Sequence, residues 1–373
     1  MTGELFLYRS VAEVDLTRLK RNYIIHKTYH RKRRIISVIK ANAYGHGDIE
    51  VASALAEEGA DFFAVSNINE GIRLRESGIG GEILILGYTP KELSHLIFRY
   101  DLSQAIVSEE HLAEAIAQRN REIKYHIAID VGMRRIGLCP ESAAENIKNA
   151  SEVLQIKGIF THLPIADTAS AEGVKYTAHE IAVFDEICRQ SERFGIELFH
   201  CQNSAAAISH SSKKSNCVRI GISLYGYAPS SEVELPTGVT PALEWKSMIC
   251  RVFSVRKGES IGYGRSFFAE KDMKVATVTT GYADGYPRAL SNRGYVIIKG
   301  EMCRVVGRVC MDMMMVDVSS VAGVKAGDEV ILLGRSGDKQ ISADDIARWA
   351  DTISYEILTG ISSRVARRYT KGK

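Results

Sequence analysis

Ile35-Ile36-Ser37-Val38-Ile39-Lys40-Ala41-Asn42-Ala43-Tyr44-Gly45-His46-Gly47 is the stretch on which the reading of this chain turns. Residues 35–39 form an apolar run of strand length, and residues 48–58 behind it have the spacing of an amphipathic helix. Working outward, comparable apolar runs recur at 62–65, 83–86, 104–107, 126–129, 156–160, 198–201 and 218–220. Helix-like segments at 69–76, 109–118 and 178–194 lie between them. Strands separated by helices at this spacing predict an α/β fold, a parallel (β/α)8 barrel. Lys40 directly follows the first strand and so falls at its carboxyl end, the face on which barrel enzymes build their sites. Partial burial there would lower its pKa and free its amine for covalent catalysis. A lysine at a strand end, taken alone, is more often a surface residue.

Past Pro241 the pattern changes. Strand-like runs at 247–255, 275–280, 295–298, 302–309, 314–318 and 329–333 are joined by glycine-containing connections, with a short helix near 343–350. The expected organisation is a barrel over residues 1–240 and a C-terminal, mostly β domain over 241–373. The first dozen residues, ending in a strand near 11–15, could return to the second domain.

The 373 residues, 45% hydrophobic and 25% charged, can fill two ordinary cores without disulfides or metal. A net charge of +3 gives no field for nucleic acid or an anionic membrane. The basic run Arg31-Lys32-Arg33-Arg34 reads as a solvated loop or helix end before the first barrel strand. The seven cysteines, at 139, 188, 201, 217, 250, 303 and 310, show no CxxC or finger spacing. They read as buried free thiols, and no metal site is expected. With neither a long apolar span nor a signal-peptide core, the expected location is cytoplasmic.

The segment 38–47 resembles the cofactor-lysine signature of the alanine racemases. The similarity continues through Asp130-Val131-Gly132-Met133-Arg134-Arg135-Ile136-Gly137, Thr161-His162, Asn203-Ser204-Ala205-Ala206 and 218–226. It then runs through Gly262-Tyr263-Gly264, 281–285 and 307–312. The resemblance implies a racemase of alanine, serine or both that uses pyridoxal 5'-phosphate. Lys40 would carry the cofactor and move the α-proton on one face. Tyr263, supplied by the partner of a homodimer, would act on the other, helped by His162 and Arg219. Arg219 would face the pyridine nitrogen. Tyr44, Asn203, Ser204 and the amides of Gly221 and Ile222 would surround the cofactor, the phosphate above all. Arg135 and Met311 would meet the substrate carboxylate, with Tyr282 and Asp312 at the entrance.

Two positions depart from the family pattern. Where many members carry a carbamate-forming lysine that holds the arginine, this chain has Ala128, so Arg135 must be held by a bound anion such as chloride or by another side chain. Ser363 stands where the family normally has a tyrosine that touches the phosphate and narrows the substrate gate. A serine there resembles the serine racemases of vancomycin-resistance clusters, and implies a pocket that admits serine. That branch has a membrane domain ahead of the catalytic one, so the resemblance leaves room for one outside this chain. A related barrel decarboxylase and a non-catalytic cofactor-binding protein are the alternatives. The Tyr263 segment speaks against both.

Overall fold

The structure is a computed structural model that describes residues 9–371. It divides into two compact units. One holds residues 18–43 and 48–241; the other holds, among the described residues, 9–17, the short segment 44–47, and 242–371.

The first strand, β1 (Ser10–Asp15), belongs to the second of these units. The barrel comes next: β2 (Arg34–Val38), β3 (Phe62–Val65), β4 (Glu82–Ile85), β5 (Ser103–Ile106), β6 (Lys124–Ile129), β7 (Gln155–Thr161), β8 (Leu198–His200) and β9 (Cys217–Ile220). All eight run parallel in the order β8-β7-β6-β5-β4-β3-β2-β9. A single bridge between Gln202 and Val218 brings the two ends of the sheet together. Strands covered on both faces need apolar residues at nearly every position. Ile36, Phe62, Phe63, Ile83, Leu84, Ile127, Ile159 and Ile220 are accordingly inaccessible to solvent. Each such side chain contributes roughly 1.5–3 kcal/mol through burial. The eight apolar runs seen in the sequence are these strands, displaced by a residue or two at their ends.

The β-rich unit continues with β10 (Leu243–Val255), β11 (Ser260–Ile261), β12 (Phe267–Phe268), β13 (Met273–Val278), β14 (Tyr295–Ile298), β15 (Glu301–Arg304), β16 (Met314–Asp317), β17 (Glu329–Ser336), β18 (Lys339–Ile341) and β19 (Ala366–Thr370). The long β10 is its spine, pairing with β1, β13 and β17. Buried Trp245 on β10 donates its indole N–H to Ser10 Oγ on β1 at 2.7 Å, which ties the N-terminal strand in place. On its other edge β1 runs parallel to β19, so both ends of the described chain close one sheet.

The thiols depart from expectation in one respect. Cys139 and Cys250 are exposed and Cys310 is half-buried, so the cysteines are free but not uniformly buried. Cys139 and Cys250 lie at a helix cap and on an open strand face, where a small side chain is tolerated at the surface. The basic run 31–34 is the turn after helix Leu16–Tyr29 and the start of β2, and Arg34 bridges to Asp61 and Glu82.

Candidate active site

Lys40 stands just past the end of the first barrel strand, as the sequence implies, and it opens an unusual turn. Ala41, Asn42, Ala43 and Tyr44 all have φ between 51° and 54°, one turn of left-handed helix. Such a turn is unfavourable for L-residues by roughly 1–2 kcal/mol each, so the surroundings must hold it. Glu70 does so with both oxygens, accepting from Ala41 N at 2.8 Å and from Ser66 N at 2.7 Å. Asn42 Oδ1 accepts from Asp48 N at 3.1 Å. The turn fixes the direction in which the chain leaves the strand, and with it the base of the Lys40 side chain. Burial, and then the charge of Arg135, lower the Lys40 pKa, and Arg219 adds to this against an opposing pull from Glu70. The amine is thereby shifted towards its nucleophilic form.

Arg219 on β9 is 4% exposed, and among the described residues no carboxylate pairs with it. Its guanidinium donates instead to Thr161 O at 2.7 Å, to the carbonyl of His200, to His200 Nδ1 at 3.0 Å and to His162 Nδ1 at 3.3 Å. Burial pulls its pKa down to about 10, which still leaves it charged at neutral pH. Burial, followed by the charges of Arg219, Arg135 and Lys40, pushes His162 down to about 3, so this ring is neutral. A neutral ring accepting from a buried cation is the arrangement seen here, and Arg219, His162 and Lys40 lie near enough in the barrel unit for their charges to act on one another.

Asn203 caps the short helix Ser204–Ser209, accepting from Ala206 N at 3.0 Å, and its amide nitrogen donates to Leu163 O. Ser204 Oγ accepts from Gly221 N at 2.9 Å, which leaves the hydroxyl proton of Ser204 to donate elsewhere. Ile222 opens a single 3-10 turn, Ile222–Tyr225, directly after Gly221. These four residues are therefore together. Tyr44 is buried and packs at a tilt 6.1 Å from Tyr355; with Gly45, His46 and Gly47 it belongs to the β-rich unit. Burial pushes its pKa up, so its hydroxyl stays neutral. Arg135 lies exposed in the loop after β6. Ala128 packs with Ala105, Val107 and Phe160, an apolar cluster that offers Arg135 nothing to bind.

In the β-rich unit Tyr263 is 70% exposed and begins the short turn Tyr263–Arg265, between Gly262 and Gly264 at φ 77° and 69°. These left-handed positions suit glycine and present the ring outward. Tyr263 and Cys310 line the same open groove, with Arg251, Phe253, Arg265 and Met315. Tyr282 N donates to Cys310 O at 2.9 Å and Ala283 N to Met311 O at 3.0 Å, joining the turn at 282–284 to the loop at 310–313. Arg364 Nη2 reaches Asp312 Oδ1 at 2.7 Å, and Ser362 N donates to Asp284 O at 3.0 Å. Ser363 sits exposed between these two ties. Tyr282, Met311, Asp312 and Ser363 thus form one cluster.

Glu70 and His200 escaped the sequence reading. A histidine at the end of an apolar run was the signal for His200; Glu70 carries none, since it looks like any exposed helical glutamate. No group of three or more His, Cys, Asp or Glu among the described residues could hold a metal, and no helix among them is long and apolar enough to cross a membrane.

Residues 14–229 match the family model for the alanine racemase N-terminal domain, and 242–369 that for its C-terminal domain. Alanine racemase 1 of Clostridium acetobutylicum is 40% identical over 370 residues, 96% of this chain and 95% of that one. The crystal structure of alanine racemase from Bacillus anthracis with bound L-Ala-P superposes with a TM-score of 0.89 at 33% identity, covering 98% of this chain and 96% of the other. The Bartonella henselae alanine racemase with covalently bound pyridoxal phosphate matches at a TM-score of 0.86 and 26% identity, over 97% and 99% of the two chains.

Proposed function

The chain belongs to the alanine racemase family and racemises alanine with pyridoxal 5'-phosphate; from that premise we propose that Lys40 and Tyr263 are its two bases, and that serine is also a substrate. The observation that carries the proposal is the Lys40 amine, half-buried, lowered in pKa and set by a left-handed turn at the carboxyl end of a barrel strand.

The residues present fit the cofactor. Arg219 is a buried cation whose partners among the described residues are carbonyls and ring nitrogens, so it can donate to one more neutral acceptor, the pyridine nitrogen. Ser204 retains a hydroxyl proton for a phosphate oxygen, and Ile222 N is a further donor for that group. Bound pyridoxal phosphate supplies an electron sink for the charge left on the α-carbon when its proton departs. Arg219 stays protonated and does not surrender its proton to the ring, which keeps that sink weak and favours return of the proton to carbon over transamination.

Inversion needs a proton removed from one face and delivered to the other, so one base does not suffice. Lys40 Nζ moves the proton on its own face, and the Tyr263 hydroxyl on the opposite face. Arg135 and the Met311 amide orient the substrate carboxylate. We place Tyr263 in the partner subunit's site, because a ring 70% exposed on a turn suits contact with a second chain. Phe268, Tyr282, Met311 and Met313, also exposed, support such a surface. A two-fold dimer then holds two reciprocal sites.

Borohydride reduction of the holoenzyme tests the assignment. The cofactor should be fixed to the peptide that contains Lys40, and Lys40→Ala should abolish the visible absorbance; fixation on another lysine would overturn the reading.

A further inference from the structure

A line of polar side chains, half-buried at Glu82 and buried beyond it, runs through the barrel from β4, β6 and β8 to Arg219. His200 Nε2 lies 2.9 Å from His126 Nδ1, and His126 Nε2 lies 3.2 Å from Glu82 Oε1. Both histidines are inaccessible to solvent. Alternate strands of a barrel supply residues to its interior in layers, which is how three strands that are not neighbours bring these groups into contact.

The direction of every hydrogen bond in the line is set by its two ends. Arg219 can only donate, so His200 Nδ1 is an acceptor and the His200 proton is on Nε2. That proton is donated to His126 Nδ1, which puts the His126 proton on Nε2, pointing at Glu82. A carboxylate can only accept, and so terminates the line without conflict. Burial, then the charge of Arg219, keep His200 far below its ordinary pKa, as a neutral ring requires. Glu82 also accepts from Arg34 Nη1 at 3.4 Å and from Ser103 Oγ at 3.3 Å, and three donors on one carboxyl favour its ionised form. The rings are packed in place: His200 stacks on Phe160 with centroids 5.1 Å apart, and His126 meets Phe62 edge-on. Gly158 leaves the space for His126, since a Cβ there would overlap its Nδ1.

We propose that Glu82 is a positioning residue: by accepting from His126 it holds that ring's proton on Nε2, so that His126 Nδ1 accepts from His200 and the line keeps the direction that the donation from Arg219 requires. This rests on the family reaction, in which Arg219 serves the cofactor nitrogen, but the tautomers are a property of the protein itself. A line of buried groups that is merely satisfied would lower stability when broken, without changing which nitrogen carries each proton or how fast the reaction runs.

The experiment is long-range proton–nitrogen NMR of the holoenzyme labelled with 15N-histidine. The two buried rings should both be neutral with the proton on Nε2. In Glu82→Leu the His126 proton loses its acceptor, and that ring should become a mixture of tautomers. The kcat for alanine should fall roughly tenfold, by analogy with the lower end of what outer partners of metal-binding histidines contribute, with KM changed little. Glu82→Gln, whose amide oxygen still accepts, should restore the wild-type tautomers and most of the rate. A wild-type His126 that is doubly protonated or carries its proton on Nδ1 overturns the proposal, whether or not Glu82→Leu folds. So does a folded Glu82→Leu with unchanged tautomers or unchanged kcat. None of these outcomes would touch the assignment of Lys40, which borohydride tests independently.

Discussion

On the proposed reading, the residue at position 363 sets how wide the substrate gate is. A pocket shaped only for methyl rejects an added hydroxyl by no more than about 10²-fold unless it is sterically closed. The family tyrosine provides closure, whereas Ser363 is exposed on a turn beside the Arg364–Asp312 bridge and brings a hydroxyl. One hydrogen bond from it is worth roughly 0.5–1.5 kcal/mol, up to about tenfold in specificity. L-serine should therefore be racemised at a rate comparable to L-alanine. In Ser363→Tyr, kcat/KM for serine should fall more than for alanine; an equal fall in both would sink the specificity claim. A second residue acts through pH. Glu180 is buried under the loop that carries Arg135, with neither carboxylate oxygen hydrogen-bonded, in space left by Gly132. Burial, and then the nearby Asp130, raise its pKa to about 7. The folded state therefore holds this proton more tightly than the unfolded one. Its stabilising share is complete below the ordinary carboxylate pKa of about 4.5 and is lost as pH climbs through 7. Glu180→Gln should raise the melting temperature at pH 8 and leave it nearly unchanged at pH 4.5; no gain at pH 8 would contradict this.

The element that matters most is the left-handed turn at 41–44. Ala→Gly in an ordinary helix destabilises by roughly 0.5–1 kcal/mol. At Ala41 the sign should invert, because glycine removes the roughly 1–2 kcal/mol cost of a left-handed L-residue. Ala41→Gly should gain about 0.5–1 kcal/mol in chemical denaturation, and a loss of that size would show that the turn is not left-handed in solution. Nothing in Ala41-Asn42-Ala43 announces such a turn, since two of its three residues are good right-handed helix formers. Tertiary ties from Glu70 and Asp48 create it. The barrel strands, by contrast, were legible because residues covered on both faces must be apolar, and that leaves runs such as 35–39 and 62–65. The hairpin of β11 and β12 and the helix Ser354–Gly360 left no such trace: two-residue strands and a short helix carry too few periods to stand out. Among the candidate site residues, Lys40 had a positional reason visible in the sequence. The others were found through the resemblance, and the Glu82–His126–His200 line was missed because each member looks like an isolated polar residue in an apolar run.

For the whole molecule the central claim is that one site takes Lys40 from one chain and Tyr263 from another. Exposure of the Tyr263 ring gives it a physical basis, because a base left open to water would serve catalysis poorly until a second surface covers it. Such a dimer can be taken apart by mutation. Lys40→Ala and Tyr263→Ala homodimers should each be inactive, having lost one of the two bases at both sites. Mixed and allowed to exchange subunits, they form heterodimers in which one site lacks both residues and the other retains both. The direct measurement is racemase activity of that mixture. It should recover to about one quarter of the wild-type value at full exchange, since half the dimers are mixed and each has one of two sites intact. Proven exchange with no recovered activity would contradict the shared site.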